Sequence, residues 1–303
     1  MAGFGQNEAD KPVTDRHSAK NPHPHKPMNT IKLSAPATKE FWEIPVLFED
    51  EHLLALDKPS GLLTSPDRYN PDRPNLMRLL HDGIAAQKPW VKSRGLTYLS
   101  NAHRLDADTS GVLLLAKNKP ALIQLANLFS IDKPQQKYFA LVSGLPSSDQ
   151  FVMDAKIASN VVELGLMRID NRDGMKSRTE FSVAEKFSGY TALTCQPRTN
   201  RNHQIRIHLK HAGFPIIGDT LYGGKPLWLS RLKKGFYLKH GREERALMGR
   251  VALHSEELSI PHPITGETIT LTAPMPKDLR VALRYLREFR GGGRTFGGAR
   301  EEE

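Results

Sequence analysis

The chain is almost empty of cysteine. Its single Cys195 in 303 residues makes an intramolecular disulfide impossible and excludes a Cys-cluster zinc or iron–sulfur site. Long apolar runs are also missing, and none approaches the roughly 18 residues that a membrane span needs. The first twenty residues hold no apolar stretch of the kind a secretory leader carries, so a reducing, cytoplasmic setting is expected. Several catalytic signatures are absent too. There is no phosphate loop, no H-E-x-x-H zinc helix and no G-x-S-x-G nucleophile elbow. Gly3-Phe-Gly5 lacks the third glycine of a dinucleotide fingerprint. Nucleotide hydrolysis, zinc proteolysis and nicotinamide chemistry lose ground, and neither a cofactor nor a metal is expected.

Acidic residues fall short as well. Against 43 Lys and Arg stand 33 Asp and Glu, which gives a net charge of +10 and a pI near 9.6. A basic balance suits a polyanionic partner such as nucleic acid. Residues 1–40 contribute only +2 and residues 286–303 nothing, so the excess of charge belongs to the central body. Hydrophobic residues make up 39%, enough to build a packed core.

Residues 1–40 are rich in Pro, His, Asn and Lys and lack hydrophobic periodicity, which predicts a disordered tail with order beginning near Phe41. Ile44–Phe48 and Leu53–Leu56 read as strands, and Lys58-Pro-Ser-Gly61 as a loop. Leu76–Ala86 reads as a helix. Val112–Leu115 is a continuous apolar run, which suits a strand buried on both faces. Asn118 caps a following helix whose apolar stripe is Leu122, Leu125, Ala126 and Phe129. Tyr138–Val142, Thr179–Val183 and Thr191–Cys195 read as further strands. Gln204–His208 could extend the alternation or start a helix. Leu279, Ala282, Leu283 and Leu286 mark a final helix, followed by a Gly/Arg-rich tail.

Three polar clusters stand out. His103-Arg-Leu-Asp-Ala-Asp-Thr-Ser-Gly111 runs directly into the apolar strand, and a loop at the end of a buried strand is a common mount for catalytic groups. Asp106, Asp108 and Thr109 could equally do no more than satisfy a turn. The order of residues differs from a kinase catalytic loop, because Leu105 separates Arg from Asp. Arg198 to His208 alternates arginines and histidines with Ile205 and Ile207; if extended, Gln204, Arg206 and His208 share one face. A guanidinium beside a buried Asp would keep that carboxylate ionised. Gly213-Phe-Pro-Ile-Ile-Gly-Asp219 with Tyr222-Gly-Gly224 reads, on its own, as a set of tight turns.

Taken together, these clusters resemble the RluA-type family of RNA pseudouridine synthases. His103–Gly111 is similar to the family motif H-R-L-D-x-x-T-S-G, and Tyr138–Gly144 to Y-x-A-x-V-x-G. His203-Gln-Ile-Arg-Ile-His-Leu209, Gly213–Asp219 and Tyr222-Gly223 look like a third motif. Lys58-Pro-Ser-Gly61, Leu253-His254 and His262-Pro263 also fit, so the resemblance spans about residues 44–278. One departure is Thr199-Asn-Arg201, where the family commonly has T-G-R; Asn tolerates the left-handed backbone that such a turn needs.

The resemblance implies an α+β fold: a mixed, mostly antiparallel central sheet with surrounding helices and a central active-site cleft. It implies one catalytic domain over 41–285, a tail over 1–40 and a helix end with flexible tail over 286–303. The implied activity is isomerisation of uridine to pseudouridine in ribosomal or transfer RNA by a monomer. The implied catalytic residues are Asp106, which acts on the ribose of a flipped-out nucleotide, Tyr138, which stacks on the base, and Arg206, which pairs with Asp106. RNA contacts are expected from Arg104, His103, Arg201, His203 and Gln204. More are expected from a basic insertion over 225–250, where Trp228, Lys233 and Lys234 would stack on bases or hold phosphates. A catalytically inactive RNA-binding or ribosome-assembly protein on the same fold is the alternative. A glycosidase using Asp106 and Asp108 ranks below it, because two residues of separation do not readily flank one glycosidic bond.

Overall fold

The computed structural model describes residues 30–68 and 70–291. The chain opens with β1 (Thr30–Ala35), β2 (Glu40–Glu49) and β3 (Leu53–Lys58), followed by α1 (Leu76–Ala85) and α2 (Pro89–Lys92). Then come β4 (Ser100–Asn101), β5 (Ser110–Ala116), α3 (Lys119–Ser130) and β6 (Gln135–Ser143). After these lie β7 (Gln150–Asp154), β8 (Ile157–Ser159), β9 (Met167–Ile169), β10 (Arg178–Phe187) and β11 (Tyr190–Pro197). The last part holds α4 (Gln204–His211), α5 (Leu229–Leu232), β12 (Leu253–Pro261), β13 (Thr268–Thr272) and α6 (Lys277–Arg290).

Eleven strands form one sheet with the main order β1-β2-β3-β5-β12-β6-β11-β10-β7; β4 pairs with β5 and β13 with β12. The β5–β12 pairing is parallel, and every other pairing in this sheet is antiparallel. β8 and β9 form a separate hairpin. The architecture is therefore the expected mixed, mostly antiparallel sheet with helices around it.

The sheet is covered on both faces, and β3 and β5 show why their sequences are apolar throughout. Leu54, Leu56, Leu113 and Leu115 pack with α1, α2 and α6, whereas Leu53, Ala55, Val112 and Leu114 pack with α3 and β13. All seven residues of β5 are buried. A strand solvated on one face would alternate instead. The helix starts follow local chemistry. The Asn75 and Asn118 side chains accept hydrogen bonds from the Arg78 and Ala121 backbone N–H groups and so cap α1 and α3.

Two expectations change here. Order begins well before Phe41, because Thr30–Ala35 pairs with Glu40–Pro45. Its alternation is a period of two: Ile31, Leu33 and Ala35 point inward between exposed Thr30, Lys32 and Ser34. A proline-rich, charged neighbourhood masks so short a pattern in sequence. Segment 204–211 is α4, so Gln204, Arg206 and His208 are not one strand face; the helix buries Gln204 through Leu209. The expected tail over 1–29 and the Gly/Arg-rich end lie outside the described residues.

The β5–β12 seam carries the loop that precedes β5. Gly111 has a φ of +111°, and a Cβ there would lie 2.1 Å from the Ser255 carbonyl oxygen. Gly111→Ala combines a forbidden contact with a left-handed backbone. It is expected to cost about 3 kcal/mol or more in urea denaturation.

Asp57, one residue before the end of β3, has its pKa raised by burial to about 6. It makes no hydrogen bond or ion pair with another described residue. The folded state therefore holds this proton more tightly than the unfolded chain, and stability falls as pH rises from about 4 to 6. Asp57→Asn is expected to stabilise the protein by about 1–3 kcal/mol at pH 7 and to give no gain near pH 4. Denaturation midpoints at the two pH values check this.

Candidate active site

The loop before β5 is fixed from beneath. Lys58 is fully buried, and its Nζ donates to the carbonyls of Pro59, Ala107 and Thr109 at 2.8, 3.0 and 2.9 Å. Burial pulls its pKa down to about 7, opposed by the charges of Asp106 and Asp108. Three carbonyls take the three protons of the ammonium form, so loss of one would leave a carbonyl facing a lone pair. Thr64 Oγ1 donates to the Leu105 carbonyl at 2.8 Å and accepts from the Leu105 N–H at 3.2 Å. The backbone on each side of Asp106 is thus anchored.

Arg206 reaches this loop from α4. Its Nε and Nη2 donate to Asp219 Oδ2 and Oδ1 at 2.7 and 2.8 Å, and its Nη1 donates to Asp106 Oδ2 at 3.1 Å. The Arg206 side chain is 5% exposed, Asp219 0% and Asp106 22%. A planar guanidinium offers a fork to one carboxylate and a further N–H to another, which a lysine could not match. Burial pushes the Asp106 carboxyl pKa up, but neighbouring positive charge and the Arg206 hydrogen bond outweigh it and hold the group below the usual carboxylate range. His203 has its own pKa lowered by burial and is uncharged at neutral pH, so Arg206 and Arg104 carry the effect there.

Tyr138, at the start of β6, is buried and donates from Oη to Gln136 Oε1 at 2.8 Å. Burial raises the pKa of its phenol, so it stays protonated. His203 stands at the head of α4 with Nε2 3.8 Å from Asp106 Oδ1. Arg104, Asp106, Tyr138, Arg201, His203, Gln204 and Arg206 line one cleft, with Leu105, Ile205 and Leu253 as its apolar walls. Arg104 is exposed and makes no hydrogen bond or ion pair with another described residue. Arg201 sits 3.6 Å from Asp132, and its Nε is buried without a partner. Asp132 Oδ1 also accepts from the Asn200 N–H at 3.0 Å, which holds the loop where Asn200 stands in place of glycine. Among the described residues, no group of three His, Cys, Asp or Glu side chains could hold a metal ion.

Two of the expected RNA contacts, His103 and Gln204, need correction. His103 is buried, stacks on Phe129 at 4.6 Å and accepts a hydrogen bond on Nε2 from the Leu114 N–H at 2.9 Å. Burial lowers its pKa to about 4. It is a packing residue behind the loop and does not face RNA. Gln204, though it borders the cleft, spends its amide internally: Oε1 accepts from Thr199 Oγ1 and the Arg201 N–H, while Nε2 donates to the Arg178 carbonyl and Thr179 Oγ1. Trp228, Lys233 and Lys234 do not line the cleft. Their segment packs on α6, with Lys233 Nζ 5.8 Å from the Phe289 ring centre and the Arg231 carbonyl accepting from Arg290. Lys233 and Lys234 are exposed, and Trp228 is half-buried.

Sequence reading assigned no functional part to Asp219 or Tyr222. Asp219 neutralises the back of Arg206, and the buried Tyr222 ring lies 4.9 Å from the Arg206 guanidinium carbon. A Gly-Asp-x-x-Tyr turn close after an arginine-bearing helix was the available signal. Its glycines had drawn the structural reading.

An ionised carboxylate on a rigid loop, a buried phenol and a guanidinium clamp share one cleft in a basic protein. This is the layout of an enzyme acting on a nucleic-acid component. A profile of the RNA pseudouridylate synthase family matches residues 52–211. The chain is 38% identical over 245 residues to ribosomal large subunit pseudouridine synthase D of Xanthomonas campestris, covering 80% of this chain and 69% of that protein. It is 34% identical over 247 residues to synthase C of Escherichia coli, covering 81% and 70%. Human RNA pseudouridylate synthase domain containing 4 shares the fold with a TM-score of 0.59 at 23% identity, covering 80% of this chain and 92% of that one. The chain belongs to the RNA pseudouridylate synthase family and is an isomerase of the RluA type.

The clamp gives a direct test. Asp219→Asn leaves the buried Arg206 charge half-compensated. It is expected to cost about 3–5 kcal/mol of stability by denaturant titration. Activity is expected to fall at temperatures where the variant is still folded.

Proposed function

We propose that this protein isomerises uridine in large-subunit ribosomal RNA, with Asp106 as the group that acts on the ribose. The observation that carries this reading is the Arg206 clamp, which joins Asp106 to the buried Asp219. Isomerisation breaks the N1–C1′ bond and forms C5–C1′. N1 gains a proton and C5 loses one, so composition and oxidation state are unchanged. Attack at C1′ and proton abstraction at C2′ both require an ionised carboxylate beside the sugar, and Arg206 keeps Asp106 in that form. Tyr138, which lines the cleft, supplies an aromatic face for the uracil. The ribosomal target is supported by the named activities of the synthase D and synthase C relatives.

The base must leave its stack, at a cost of a few kcal/mol. Arg104, exposed at the cleft mouth, is placed to fill the vacated stack or hold a flanking phosphate. Arg201 brings a second guanidinium to the same cleft for that backbone. Lys233, Lys234 and Trp228, on the α6 side, form a second contact that engages RNA away from the reacting nucleotide. The catalytic unit is then the folded body from Thr30 to Arg290, wider than 41–285, with residues 225–250 as its basic extension.

Site mapping tests the reading. Wild-type protein and Asp106→Ala are incubated with unmodified large-subunit ribosomal RNA and bulk transfer RNA transcripts, and pseudouridine is located by carbodiimide adducts and primer extension. A few sites in ribosomal RNA, present only with wild type, are expected. Sites in transfer RNA alone would overturn the ribosomal assignment, and activity retained in Asp106→Ala would overturn the assignment of the carboxylate.

A further inference from the structure

His203 is held in an unusual way. It opens α4 with a φ of 52°, a left-handed conformation that costs a non-glycine residue about 1–3 kcal/mol. Strain of this kind persists where neighbours fix the residue, and here Tyr222 does so. The Met167 N–H donates to Tyr222 Oη at 2.9 Å, and the phenol's own proton has His203 Nδ1 as its acceptor at 2.8 Å. With Nδ1 accepting, the neutral imidazole carries its hydrogen on Nε2. That N–H points toward Asp106. Burial lowers the His203 pKa, which keeps the ring in this neutral form.

The distance from Nε2 to Asp106 Oδ1 is 3.8 Å, too long for a direct hydrogen bond. Asp106 Oδ2 is occupied by Arg206, whereas Oδ1 accepts from no other described residue. A single oxygen atom can lie about 2.8 Å from both Nε2 and Oδ1. To bond to both, it must accept from the imidazole N–H and donate to the carboxylate. A carbonyl or phosphate oxygen has no proton to give, and an ammonium has no lone pair to accept with. A hydroxyl group satisfies both ends, as does a water molecule that such a group would displace.

We propose that His203 Nε2 and Asp106 Oδ1 form a hydroxyl subsite for the ribose 2′-OH of the target uridine, with Tyr222 as the positioning residue that fixes the His203 tautomer. This rests on Asp106 being the carboxylate that acts on the sugar, because the 2′-OH is borne on the carbon next to C1′. The 2′-OH is also the group that separates RNA from DNA. The subsite therefore discriminates sugar type at the reacting nucleotide itself.

The test uses a ribosomal RNA fragment carrying the mapped uridine as ribouridine, 2′-deoxyuridine or 2′-fluorouridine, with single-turnover rates measured for the full-length protein. Wild type is expected to favour ribouridine over both analogues by at least about tenfold, the worth of one good hydrogen bond. His203→Asn tolerates the left-handed backbone but cannot reach the 2′-OH, and its ratio should fall by about tenfold relative to wild type, the intrinsic effect of the 2′ substituent being common to both proteins. Tyr222→Phe should give an intermediate ratio. Nitrogen-15 NMR should show the His203 ring protonated at Nε2 in wild type and as mixed tautomers in Tyr222→Phe. A wild-type ratio near one, a wild-type ratio retained in His203→Asn, or a ring protonated at Nδ1 in wild type would each overturn the subsite. If Asp106→Ala still turns over ribouridine, the assignment of Asp106 fails and the subsite fails with it. If Asp106→Ala is inactive while His203→Asn keeps full discrimination, the subsite alone fails.

Discussion

The structure depends on a positive charge buried between two carboxylates. Arg206 is almost wholly out of water, and Asp219 is completely so. Such a pair is expensive to desolvate, and packed apolar residues of the same volume would often serve stability as well or better. Its retention makes sense through the third partner. Asp219 neutralises one side of the guanidinium and fixes its plane, which leaves Nη1 aimed at Asp106. Asp106 is thereby paired with a cation that cannot lose its own proton.

Much of the remaining structure exists to aim the loop at that cation. The β5–β12 seam admits only a glycine at 111, Lys58 binds three carbonyls from beneath, and Thr64 grips Leu105 from both sides. From the helix side, a chain of hydrogen bonds runs from Gln204 to Thr179, from Thr179 to His208, and from His208 to the Ala155 carbonyl. It ties α4 to β10 and to the segment between β7 and β8. Several residues of the polar motifs therefore build the scaffold and leave substrate to others. His103, Gln204 and His208 belong to this group. Arg104, Asp106, His203 and Arg206 line the cleft.

This division explains which parts of the site were legible beforehand. Asp106, Tyr138 and Arg206 were named through the motifs that carry the family resemblance, whereas residue type alone left Asp106 as a possible turn residue. His103 and Gln204 looked equally polar in sequence. Whether a polar side chain faces a cleft or the back of a loop depends on which way one turn rotates, and residue type does not encode that. The same limit applied to α4. Ile205 and Ile207 alternate like a strand, yet the segment is a helix buried from Gln204 through Leu209.

The sequence by itself determined the class of chemistry: no disulfide or Cys-cluster metal site, a basic body, apolar β3 and β5 strands, and an aspartate loop entering β5. Each is a property of composition or of a short window, where local sterics and hydrophobic periodicity act directly. Only the tertiary structure decided that Asp219, 113 positions after Asp106, completes the charge balance through Arg206. It also placed Thr30–Ala35 at the sheet edge and set Tyr222 against His203. These relations join residues far apart in the chain, and their energies come from burial and from distances of 3 to 4 Å, which exist only once the sheet has formed.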